Sequence, residues 1–81
     1  MNIDAKKAAA IAAQYYRDIS LEEAELTIEE IEFEEAGFWL ITLGIYNSYG
    51  LAMGRRPSNY KRFKIDANTG EVKSMKIREI K

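Results

Sequence analysis

Apolar residues recur along this chain with two different periods, and the change of period divides it into elements. From the start, Ala8, Ile11, Ala12, Tyr15 and Ile19 follow one another three and four positions apart, the spacing of one face of an α-helix. The spacing predicts a helix over residues 4–18, with Asp4 as its N-cap. Six alanines between Ala5 and Ala13 keep the buried face small, which suits a helix lying close in the concavity of a sheet.

The following segment has two readings. Ser20 and Glu23 fit a capping box, and Leu21, Ala24, Ile28 and Ile31 match helical spacing, which would give a second helix over 21–35. Alternation favours a strand over 24–34. Leu26 and Ile28 flank Thr27, Ile31 and Phe33 alternate with glutamates, and the phase shift at Glu29 and Glu30 marks a β-bulge. Glu35, Ala36 and Gly37 then turn the chain into its strongest strand, Phe38 to Tyr46.

That strand is apolar on both faces. Trp39, Ile41, Leu43 and Ile45 form one side, and Phe38, Leu40 and Tyr46 with Thr42 form the other. A single helix covers one side only, so neighbouring side chains drape over the second or it is an interface with a partner or another copy.

Residues 47–59, NSYGLAMGRRPSN, hold two glycines and the only proline, and read as a long loop. After it, Lys61, Phe63 and Ile65 share one face while Arg62 and Lys64 share the other, a period of two. DANTG, residues 66–70, suits a type I turn closed by a G1 bulge, with Gly70 at positive φ. Beyond the turn the apolar phase shifts between Val72 and Met75, which places a second bulge near Lys73 and Ser74.

Composition narrows the class. At 81 residues the chain reads as one domain over 1–81, and it has no cysteine for disulfides or thiolate metal sites and no histidine. Serine-histidine and cysteine-histidine machinery and the common zinc sites are therefore excluded. Asp4, Lys6 and Lys7 interrupt the start, no run reaches the length of a membrane span, and the expected location is cytoplasmic.

The net charge of −1 conceals an asymmetry. Residues 1–40 carry 10 acidic and 3 basic side chains, a net −7, and residues 41–81 carry 3 acidic and 9 basic, a net +6. Acidic and basic strands neutralising each other across one sheet is the expected arrangement, and a charged partner the sharper one. Nucleic acid is a third-ranked partner, through Arg55, Arg56, Lys61, Arg62 and Lys64 with Tyr49 and Tyr60 for stacking.

Candidate chemistry is sparse. Glu22/Glu23, Glu29/Glu30 and Glu34/Glu35 are adjacent pairs, which a strand directs to opposite faces, so they read as a solvated acidic edge and not as a convergent acid and base. Asp66, Asn68 and Gly70 lack the later glutamate of a calcium loop. No catalytic, metal or cofactor-binding residue is assigned. The candidate binding surface is Tyr49, Met53, Arg55, Arg56 and Tyr60, with Leu51 beside them: aromatic and arginine side chains favour contact hot spots, and methionine adapts to varied partners.

Ile3-Asp4-Ala5 with the Ala-rich helix, and Tyr60 to Asp66 followed by Thr69-Gly70-Glu71-Val72, resemble the PepSY and PepSY-like domains. That resemblance covers most of the chain, with the last hairpin as its specific element. It implies a cystatin-like fold, a curved antiparallel sheet around one helix, and a binding or regulatory role in which peptidase inhibition is often proposed. It supplies no catalytic residues.

The expected fold is thus α+β: one N-terminal helix on a curved four-stranded antiparallel sheet, an α-β-β-β-β meander with Ile11, Tyr15, Ile41, Leu43, Phe63, Ile65, Val72 and Ile77 in the core. The expected function is a non-enzymatic protein- or peptide-binding module without a cofactor, acting through the 47–59 loop or the free face of the 38–46 strand. A structural homo-oligomer formed through that second apolar face is the alternative.

Overall fold

The computed structural model describes residues 2–20, 24–46 and 59–78. They form α1 (Ala5–Ile19), β1 (Glu25–Glu34), β2 (Phe38–Tyr46), β3 (Asn59–Asp66) and β4 (Val72–Arg78). The strands pair antiparallel in chain order, and α1 packs on one face of the sheet, as the apolar periods predict. Among the described residues, no helix is long and apolar enough to cross a membrane.

α1 begins where Asp4 accepts the Lys7 N–H at 2.8 Å, and it ends where the Ser20 N–H donates to the Tyr16 carbonyl. The segment that could have been helical is β1. Glu23 and the rest of 21–23 lie outside the described residues, and so does the second half of the capping box. Both bulges fall where the phase of apolar residues places them: the β1–β2 register shifts between Ile28 and Glu30, and the β3–β4 register steps from Lys64–Ser74 to Ile65–Val72, leaving Lys73 as the extra residue.

The last turn is one residue wider than a type I turn with a G1 bulge. Asp66 and Glu71 close a four-residue loop, in which the Gly70 N–H returns to the Asp66 carbonyl at 2.8 Å. Gly70 has φ +79°, as the turn chemistry requires. Asp66 Oδ1 accepts the Asn68 and Thr69 N–H groups at 2.8 and 3.1 Å, so the carboxylate is engaged by the backbone it organises.

Cross-strand rows carry the packing. On the helix side they read Phe33–Trp39–Ile65–Val72, Ile31–Ile41–Phe63–Met75 and Ile28–Leu43–Lys61–Ile77. Ile41, Leu43, Phe63 and Ile65, on the two central strands, are fully buried with Ala8 and Ala12 of the helix. Ile11 and Val72 are partly buried against them.

Two expected core residues are not core. Ile77 is 69% exposed, because it sits on an edge strand beside Lys61. Tyr15 is more than a third exposed and meets Phe63 edge-to-face, ring centroids 6.1 Å apart. Width explains Ile77. A helix with its side chains is about 10–12 Å across, whereas the outer strands of a four-stranded sheet are about 14 Å apart between axes. One helix seals the middle of such a sheet and leaves the margins open.

Candidate interaction surface

Charged neighbours bridge the second face of β2 between Phe38 and Thr42. Thr42 is almost completely buried and donates to Glu30 at 3.3 Å, and the same glutamate oxygen lies 3.8 Å from the Arg62 guanidinium, reached across β2. Lys64 Nζ lies 3.5 Å from Glu34 and 4.5 Å from the Phe38 ring centroid. Acidic β1 and basic β3 therefore bridge over the central strand, the cross-sheet neutralisation that the charge asymmetry suggests. Phe38 and Leu40 are half-buried beneath them, while Thr42, Gly44 and Tyr46 are buried.

Of the sequence-derived binding candidates, Tyr49, Met53, Arg55 and Arg56 lie outside the described residues. Tyr60 is half-buried on β3, opposite Gly44 of β2 and Arg78 of β4. The basic residues of β3 are divided between faces. Lys61 stands on the helix side, and Arg62 and Lys64 stand on the other, paired with glutamates.

Asp66 and Lys73, both around the last turn, are displaced titrating groups. The backbone N–H donors of Asn68 and Thr69 hold the Asp66 carboxyl below its ordinary 3.8, and a hydrogen bond with the Glu71 carboxylate raises Lys73 above its ordinary 10.5. Turn geometry accounts for each. No group of three or more His, Cys, Asp or Glu side chains able to hold a metal ion occurs among the described residues.

One opening in the apolar surface is not revealed by periodicity alone. Ile28, Ile31 and Phe33 of β1 face the helix side yet are between 45% and 47% exposed. Phe33 packs edge-on against Trp39 with centroids 4.9 Å apart. The three β1 side chains line an open margin of the helix side. Among the described residues β1 has a strand neighbour on one side only, so no described strand occupies its other edge. The sequence signal for an edge was present in the five glutamates of β1, which a strand flanked on both sides and both faces would not tolerate.

No protein-family model matches the chain, and neither a curated protein nor a solved structure does.

Proposed function

We propose that this chain is a non-enzymatic protein- or peptide-binding module whose contact surface is the β1 edge with its apolar strip. The observation that carries this reading is the coincidence of an open strand edge with three half-exposed large apolar side chains on the same strand. An extended segment laid along β1 would add a fifth strand, pairing its main chain with the edge and its alternate side chains with Ile28, Ile31 and Phe33. The glutamates on the opposite face of β1 select basic residues at the intervening positions. The favoured partner is therefore an extended segment alternating apolar and basic residues.

A binding role of this kind agrees with what the PepSY resemblance implies, and capture of an extended segment is a route to peptidase inhibition. The absence of histidine and cysteine supports a role without catalysis. The 47–59 loop, through Tyr49, Met53, Arg55 and Arg56, is a second contact element in this proposal.

Fluorescence anisotropy with labelled Val-Lys and Val-Glu alternating peptides tests the reading. The basic peptide binds, the acidic one does not, and Ile31→Ser with Phe33→Ser weakens binding at least about tenfold while the circular dichroism stays unchanged. Equal binding of both peptides, or of neither, overturns the surface assignment. Arg55→Ala with Arg56→Ala in the same titration measures the loop, and unchanged affinity removes it from the proposal.

A further inference from the structure

We infer that copies of this chain join head to tail through their sheet edges, β1 of one copy against β4 of the next. Among the described residues, β1 and β4 are the two outer strands of the sheet. Their directions are opposite, because the four strands alternate. A second copy set beside the first, with its helix on the same face, therefore presents β4 antiparallel to β1, and the ladder continues without a break in pattern.

Side chains fit the same arrangement on both faces. On the helix side, Ile28, Ile31 and Phe33 are the exposed outer members of the rows at one edge, and Ile77 is the exposed outer member at the other. Joining the edges brings these margins together and extends one apolar layer from copy to copy. By charge the edges are opposites: β1 has five glutamates and no basic residue, and β4 has Lys73, Lys76 and Arg78 and no acidic residue.

Those charges also decide which contacts are forbidden. Pairing β1 with β1 sets glutamates against glutamates, and pairing β4 with β4 sets cations against cations. Charged edges ordinarily keep sheets from growing, but here only the like pairings are repelled. The permitted contact uses two different surfaces, so it repeats along a filament unless its rotation closes a ring. It rests on the β1 edge named above as the contact surface, and β4 itself has the basic and apolar alternation asked of the partner. A partner strand and a second copy compete for one site.

Sedimentation velocity over a hundredfold concentration range, up to about 1 mM, tests the inference. The weight-average mass rises with concentration in low salt and falls in about 0.5 M salt, where charge attraction is screened. Glu25→Lys with Glu32→Lys, and separately Lys73→Glu with Lys76→Glu, each lower the association several-fold. Neither Glu25 nor Glu32 belongs to the cross-sheet ion pairs, so those pairs stay intact. An equimolar mixture of the two variants associates again, since the unaltered β4 of the first meets the unaltered β1 of the second and re-forms the original contact. A wild-type monomer throughout the range overturns the inference, as does stronger association of the Glu25→Lys, Glu32→Lys variant alone, which marks β1–β1 pairing. A monomer that still binds the Val-Lys peptide overturns self-association and leaves the binding reading in place.

Discussion

The Trp39 indole N–H donates to the main-chain carbonyl of Ile3 at 3.0 Å, joining the base of the central strand to the segment ahead of the helix. The same Ile3 donates its own N–H to Ala67 in the last turn, and Ala67 donates to Gly37 in the first turn at 2.9 Å. One end of the sheet is thereby tied to the N-terminal segment through two successive turns.

Trp39→Phe removes the indole donor that holds the Ile3 carbonyl from the sheet, while keeping an aromatic ring against Phe33. Losing a part-buried hydrogen bond, together with some packing, costs about 1–3 kcal/mol. Urea unfolding is expected to show a lower midpoint with an unchanged slope. An unchanged midpoint means that the tether contributes nothing to stability.

Gly70 has little room for a side chain. A Cβ placed there would stand 3.2 Å from Ile11 Cδ1, and the backbone already has φ +79°. Gly70→Ala therefore lowers stability by about 1–2 kcal/mol from backbone strain alone, with the contact to Ile11 in addition. Ile11→Val deletes the crowded methyl, so the alanine costs less in that background, by about 0.5 kcal/mol or more in a double-mutant cycle. Strictly additive losses would show that the helix side of the turn yields freely.

Asp66 makes stability depend on pH in acid. Its carboxyl is depressed in the folded chain, so the stabilisation it supplies is complete above its ordinary 3.8 and is lost as the pH falls through the lower folded value. Unfolding midpoints measured from pH 5 down to about pH 2 are expected to fall, and Asp66→Asn flattens that fall, because an amide accepts the same two N–H groups without titrating. Identical pH profiles for the two proteins would separate the turn from the acid response.

Much of this fold is legible in the residues, and the limits of that legibility are physical. The two bulges can be read because a strand has a period of two and any extra residue breaks it, at Glu29 and at Lys73. The turn at 66–71 can be read because glycine takes the positive φ and Asp66 caps the N–H groups behind it. Burial is less legible. Periodicity reports which face a side chain takes, not whether anything lies above it, so Ile77 and Ile41 look alike in sequence while one is exposed and the other sealed. The alternation of Ile28, Ile31 and Phe33 with polar residues shows that they share a face, and their exposure follows from the width of a helix against four strands. The Trp39–Ile3 bond has no local sequence signal, since it links positions 36 apart.

The link from Ile3 to Ala67 also orders events in time. Each strand pair in this meander joins neighbours in the chain and can form early, while the Ile3–Ala67 bond closes a loop spanning most of the sequence. It can form only after the hairpins have brought both turns to one end. The Ile3 amide is thus the last to gain protection as the chain refolds, a clock built into its first few residues.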